Sequence, residues 1–319
     1  MAVWLVTGGS GFLGRQVLEA LGDSGAQGES NAEVVALGRN RPVLGPHHRF
    51  IAADLTDPER LRIALRDERP DFVIHTAGRT PPATEDELYR SNSWATVHLL
   101  DALRSLGKPM RIVLTGSAAE LGPVKVELLP VGEDYPADPV DAYGRSKLIA
   151  TRSGLAERPP LEVVAARVFN VIGPGLPPTQ AFGAFAARLA EPGPDPLDLP
   201  VGPLDTRRDF VDVRDVARAM IALALRGRSG QVYHVGTGRS RAVREGLDRL
   251  IDWSGRSVVV HHDRALVRRN VIPDSRADIR RIEADTGWGP SIPFQTTLGD
   301  LWEEARSRQP TDRSRTPAA

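Results

Sequence analysis

The stretch VWLVTGGSGFLGRQVLEAL, residues 3–21, constrains the fold more than any other part of the chain. A short apolar run ends at Thr7. Gly8, Gly11 and Gly14 follow at three-residue spacing, and an amphipathic run begins at once. Glycines placed this way permit a tight turn, let backbone approach a pyrophosphate, and bring helix close to strand. The helix N-terminus adds free N–H donors and the positive end of its dipole. The expected unit is strand, phosphate-binding turn and helix, with a dinucleotide against Gly8, Ser10, Gly11, Phe12, Leu13 and Gly14. A strand-to-helix turn without ligand is the plainer alternative.

The same alternation continues. Short β-branched runs (VVAL, FVIHTA, RIVLTGS, LEVVAARVF) alternate with amphipathic stretches to about Phe169, as βα units of a parallel sheet buried on both faces do. After Asn170, GPGLPP and EPGPDPLDLPVGP concentrate Pro and Gly and break the alternation. RDFVDVRDVARAMIALAL and GQVYHVGTG then read as a return to the sheet. The expected fold is α/β, a Rossmann doubly wound parallel sheet with a smaller, interleaved C-terminal substrate-binding domain. Residues 1–169 plus roughly 208–238 form the first domain, and 170–207 with 239–306 the second. GDSGAQGESNAE (22–33) is expected to be a mobile loop and 307–319 a disordered tail.

Charge and composition exclude several classes. Lys plus Arg equals Asp plus Glu at 41 each, so no global field draws the chain to nucleic acid or an anionic membrane. There is no Cys, hence no thiolate nucleophile and no cysteine metal site. No apolar run approaches the roughly 18 residues of a membrane span, and the N-terminus reads as a strand, so a cytoplasmic location is expected. His47, His48, His261 and His262 come in adjacent pairs that a strand would point to opposite faces; surface histidines, and no metal, are expected. Trp253, Trp288 and Trp302 read as core or interface aromatics.

The second strand, EVVALGRNRP, ends in Gly38, Arg39, Asn40 and Arg41 with no carboxylate. An acid there would take the ribose hydroxyls of NAD, whereas an Arg accommodates the 2'-phosphate of NADP. NADP is therefore preferred and NAD stays open, since both arginines also read as solvated surface charges. Asp54 and Leu55 follow a third strand and could flank an adenine, or Asp54 could cap a helix.

In YGRSK, Tyr143 and Lys147 are i and i+4 and share a helix face. A neighbouring ammonium favours the phenolate and lowers the phenol pKa, so such a Tyr can pass a proton to or from a carbonyl oxygen while hydride moves at its carbon. Ser117 lies at the carboxyl end of a fifth strand, the side on which open α/β sheets bind ligands. Its hydroxyl could hold the substrate oxygen against the Tyr, or simply form a turn.

With TGGSGFLG, GSAAELG and YGRSK in this order, the chain resembles the extended short-chain dehydrogenase/reductase family, over nearly its whole length. The resemblance implies a catalytic set of Ser117, Tyr143 and Lys147, with Lys147 also on the nicotinamide ribose. It implies that HTAGRT, with Ala77, Gly78 and Arg79, covers the cofactor and that Asn92 lies near. It also implies that RVFNVIGPG closes over nicotinamide and sugar, with Val168 on the cofactor and Asn170 on the sugar nucleotide. Arg208 would contact the substrate phosphate or base, and Ala118 the substrate beside Ser117. Within the family the motifs most resemble the reductases of GDP-6-deoxy-4-keto-D-mannose and their dehydratase relatives.

Three departures narrow the chemistry. Dehydratases of the family place an acid where this chain has Ala119, and Glu120 falls one place late. The Cys of fucose-type epimerase-reductases has no counterpart. Leu121 replaces the usual Tyr. Reduction of a keto-sugar nucleotide or carbon-4 epimerisation with tightly bound NAD survives; a non-catalytic NAD(P)-binding regulator is the alternative outside enzymes. The helices of 87–107 and 140–157 would, by the same resemblance, pair two copies into a homodimer.

Overall fold

The computed structural model describes residues 2–23, 32–43, 45, 48–266 and 272–308. The loop expected at 22–33 falls largely outside them, as do His47 and 309–319 of the expected tail. In chain order the elements are β1 (Val3–Thr7), α1 (Phe12–Asp23), β2 (Glu33–Gly38), β3 (His48–Ala52), α2 (Pro58–Leu65), β4 (Phe72–His75), α3 (Glu85–Leu88), α4 (Ala95–Arg104), β5 (Met110–Ser117), α5 (Ala142–Leu155), β6 (Leu161–Val168), β7 (Asn170–Ile172), α6 (Ala181–Ala190), β8 (Leu197–Val201), β9 (Arg207–Asp212), α7 (Val213–Arg226), β10 (Val232–Val235), β11 (Ser240–Ala242), α8 (Val243–Ser254), β12 (Val258–His262), β13 (Asp274–Ser275), α9 (Arg280–Thr286) and α10 (Phe294–Ser307).

Seven strands form one parallel sheet in the order β10-β6-β5-β4-β1-β2-β3. Because successive side chains of a strand point to opposite faces, the strands supply two cores. Trp4, Val6, Val34, Ala36, Ile74, Val113 and Val164 pack with α1 and α7. Leu5, Val35, Leu37, Val73, Ile112, Leu114 and Val163 pack with α2 and α4. The order reverses between β1 and β4, the crevice where doubly wound sheets take their ligands. Two positions differ from expectation. β9, expected with the large sheet, joins β7, β11 and β13 in a small one. The return begins only at α7, where the Asp212 side chain caps the helix. Conversely Ile282 of α9 and Trp288 pack into the large core, and the Trp288 indole donates to Asp215 O at 3.0 Å.

A third core, with Phe182, Phe185, Leu199, Leu247, Leu298 and Trp302, sits among α6, α8, α10 and β8. Trp253 is partly exposed. His48 lies on β3; His261 and His262 lie on β12, where His261 pairs with Asp198 at 2.8 Å. Among the described residues no group of three His, Asp or Glu could hold a metal ion, and no helix is long and apolar enough to cross a membrane.

Candidate active site

At the switch point an open cleft is lined by Gly8, Ser10, Gly11, Gly38, Arg39, Asn40, Asp54, Leu55, Ala77, Gly78 and Arg79, among others. The glycines are there for different reasons. Gly8 has φ +74°, and a Cβ on it would lie 2.6 Å from Ala77 N. Gly14 does not reach the cleft; a Cβ there would lie 2.2 Å from Gly8 O, so it serves the close approach of helix to turn. The first turn of α1 carries no acidic residue, so the positive end of its dipole is not offset locally. Bare backbone, free helix amides and a cation at Arg39 fit a dinucleotide pyrophosphate and its phosphorylated ribose.

The side chains of other residues expected on the cofactor serve packing. Phe12 lies against the third core and Leu13 against the first. Val168 is buried in the first core, which leaves no side chain for a ligand. Asp54 is not a helix cap: its Oδ1 accepts from Thr56 N (2.9 Å) and Thr56 Oγ1 (2.8 Å), while Asp57 caps α2. The Thr56 hydrogen bonds, with Arg39 nearby, hold the Asp54 carboxyl below its ordinary range despite burial. Ala53, Thr56, Thr76, Ser91 and Ala95 also line the cleft and were not anticipated. For Ala53 and Thr76 the available signal was position, each standing at the carboxyl end of a strand.

Asn92 is buried, in a π-helical turn over Tyr89–Trp94; such turns inside helices are often found at functional sites. Its side chain is spent on protein. Oδ1 accepts from Arg79 N (2.8 Å), and Nδ2 donates to Arg79 O (3.0 Å) and Ser146 Oγ (2.9 Å). Asn92 therefore holds the 77–79 loop to α5. Below the loop His75 is buried between Thr7 Oγ1 (2.7 Å) and Thr96 Oγ1 (3.0 Å). Thr96 spends its proton on Asn92 O (2.6 Å), so His75 Nε2 donates and Nδ1 accepts. Burial, with the Lys147 charge adding, pushes the His75 pKa down to about 3, and the ring stays neutral.

Ser117 caps the 3₁₀ turn Ala118–Leu121. Its Oγ accepts from Ala119 N at 3.2 Å, which leaves its own proton for another acceptor. The N-terminal turn of α5 is started by the Asp141 side chain, which accepts from Gly144 N at 2.7 Å. Gly144 brings this turn onto the serine turn: a Cβ there would lie 2.4 Å from Ala119 O. Tyr143 and Lys147 thus stand on a helix packed against the serine turn. Lys147 is buried, and a Cβ on Gly78 would lie 3.9 Å from its Nζ. Burial pushes its ammonium down to about 8, with the Glu120 carboxylate pulling the other way.

At Ala119 there is no acid, and Glu120 turns inward and is fully buried. Leu121, in place of the family's Tyr, is buried with Val124, Val131 and Phe169. Asn170 and Arg208 lie on the small sheet and outside the cleft lining, and part of the Arg208 guanidinium donates to Arg207 O (2.7 Å) and Ile272 O (2.8 Å). The Arg79 side chain lies against Glu87.

The NAD dependent epimerase/dehydratase family matches residues 4–236. The GDP-6-deoxy-D-mannose reductase of Pseudomonas aeruginosa is 32% identical, over 95% of this chain and 97% of that one. The dTDP-6-deoxy-L-talose 4-dehydrogenase (NAD(P)(+)) of Kitasatospora kifunensis is 31% identical, over 93% of each chain. The solved structure of RMD from Pseudomonas aeruginosa complexed with NADPH superposes with a TM-score of 0.82 at 30% identity, over 97% of this chain and 100% of that one.

Proposed function

Because the chain belongs to the NAD-dependent epimerase/dehydratase family, we propose that it is an NAD(P)-dependent oxidoreductase that reduces a 4-keto-6-deoxy-hexose carried on a nucleotide. The observation that carries this reading is Lys147, a largely buried side chain whose Nζ comes up beside Gly78 of the cleft and for which no hydrogen-bonding side chain is found among the described residues. A charge held in so desolvated a place and aimed at a cleft is the kind of group a bound ligand uses.

In this reading Gly8, Ser10, Gly11 and the first amides of α1 hold the pyrophosphate. Asp54 and Leu55 flank the adenine, and Leu55 is itself held by His98, whose Nδ1 donates to Leu55 O at 3.0 Å. Arg39 and Asn40 at the end of β2 favour NADP over NAD. The bound nicotinamide supplies the hydride. Lys147 binds its ribose and lowers the pKa of the Tyr143 phenol, Tyr143 gives a proton to the carbonyl oxygen, and the Ser117 hydroxyl donates to the same oxygen. Asn170 and Arg208 face the nucleotide-sugar substrate from the small sheet. Ala119 supplies no base for dehydration. A second copy of the chain pairs through the turn over 89–94, α4 and α5.

The test is to denature the purified protein, identify any released dinucleotide by mass, and then assay the emptied or native protein with NADPH and GDP- or dTDP-linked 4-keto-6-deoxy-hexoses. The expected result is no stoichiometric NAD, tighter binding of NADPH than NADH, and NADPH consumed on adding the keto-sugar. One NAD per chain, with carbon-4 epimers interconverted and no net cofactor change, would replace the reductase with an epimerase.

A further inference from the structure

Glu120 has no role in the mechanism above, yet it lies directly under it. Its carboxylate is fully buried. Oε1 accepts from Ser117 N (2.8 Å) and from Thr151 Oγ1 (3.0 Å), and Oε2 from Arg167 Nε (3.2 Å). Thr151 is one helical turn beyond Lys147 and shares its face of α5, so the carboxylate stands beneath the Lys147 side of the helix as well as beneath the serine turn. Room for it comes from Gly116, where a Cβ would meet Glu120 Oε1 at 2.7 Å. Burial of such a group is costly unless all its oxygens are used; here Oε1 is used by the two segments that carry the proposed chemistry and Oε2 by Arg167 of β6.

We propose that Glu120 is a positioning residue for the reduction: its carboxylate fixes the backbone of Ser117 and keeps Lys147 in its ammonium form. The inference rests on the reading of Lys147 and Ser117 given above. Several groups share this environment. His75 faces Lys147 from β4 and is neutral; Tyr143 is on its own helix. Arg167 faces Glu120 from β6, and His234 on β10 stands behind Arg167 at 3.4 Å. His234 Nδ1 donates to Val131 O (3.0 Å), so its Nε2 accepts from the guanidinium, and burial holds its pKa down to about 3. The Glu133 carboxylate accepts from His234 N at 3.0 Å. Glu85, Asp86, Tyr89 and Arg90 are turned to the surface, where Arg145 meets Glu85 and Tyr89, and Arg90 meets Asp86. Of the facing carboxylates, Glu120 is the one whose charge supports the Lys147 ammonium. Glu120→Gln removes that charge and leaves Arg167 uncompensated, and both changes act in the same direction on Lys147.

The chain has three lysines, Lys108, Lys125 and Lys147, so an NMR titration with 13C-labelled lysine can follow Lys147 directly, assigned by its loss in Lys147→Met. In the folded Glu120→Gln protein the Lys147 resonance should titrate at least one pH unit lower than in the wild type. The upper limb of the kcat profile should shift by the same amount, so that kcat falls about twofold at pH 7 and about tenfold at pH 9 with KM for NADPH little changed. Thr151→Val, which keeps the charge, should leave the limb in place. An unshifted Lys147 titration in Glu120→Gln overturns the inference, whatever happens to turnover. If the resonance shifts while the wild type reduces no keto-sugar, the tuning stands and the functional reading falls. If Glu120→Gln does not fold, Arg167→Met replaces it: removing that cation should raise the Lys147 titration, and no rise overturns the inference.

Discussion

In the proposed mechanism Lys147 carries the chemistry at the residue scale, and its titration sets a pH window. Its folded pKa is depressed to about 8, chiefly by burial. Below that pH the ammonium is present, which in the proposed mechanism makes Tyr143 a stronger acid; above it the charge is lost. We therefore expect kcat for reduction to be level below pH 8 and to fall about tenfold per unit above it; a profile still level at about pH 10, where an unassisted phenol titrates, would refute the role of Lys147. Tyr143→Phe should lower kcat by about 10²–10⁴-fold with NADPH affinity, measured by fluorescence titration, within a fewfold of wild type. Full activity in that variant would remove Tyr143 from the mechanism. These residues were legible in the sequence because a four-residue spacing on a helix and a place at a strand's carboxyl end are local signals. Asn92 was legible only as a neighbour: that its amide is consumed by Arg79 and Ser146 depends on contacts between distant segments.

At the scale of elements, the site depends on α5 lying hard against the serine turn, and Gly144 sets that distance. A methyl group there would stand 2.4 Å from Ala119 O and 2.8 Å from Pro139 Cβ, and backbone cannot yield as a flexible side chain can. Gly144→Ala should cost about 1–3 kcal/mol of stability and lower kcat more than it raises KM, because the displaced turn moves Tyr143 relative to Ser117. Unfolding in denaturant and steady-state kinetics check both; an unchanged midpoint with unchanged kcat would show that the turn adjusts freely. The motif YGRSK shows this glycine without revealing its purpose, since its partner lies on another element. The sheet itself was legible, as alternating apolar runs and amphipathic stretches are what a buried parallel sheet requires. The placement of β9 was not: its apolar positions fit either sheet, and pairing with β7, β11 and β13 decides.

At the scale of the whole molecule, one face remains to be accounted for. Trp94, in the π-helical turn that runs into α4, is 58% exposed, and Ile149 on α5 is 44% exposed. Around them Arg90 pairs with Asp86, and Arg145 with Glu85, giving an apolar centre with a charged rim, the composition of an interface. A twofold axis would set the same patch against itself. Burying two Trp and two Ile side chains recovers apolar surface at about 25 cal/mol per Å², against the cost of association. The chain of 34.6 kDa should therefore run as a dimer in sedimentation velocity at micromolar concentration. Trp94→Arg combined with Ile149→Arg should give the monomer mass while native circular dichroism is kept, since neither side chain belongs to a core. Ile149 lies on the side of α5 away from Lys147 and Thr151, and neither it nor Trp94 lines the cleft, so NADPH affinity should change little even as the mass halves. A wild-type chain that stays monomeric at all concentrations, or a double variant that stays dimeric, would place the contact elsewhere and leave Trp94 as a surface residue without a partner.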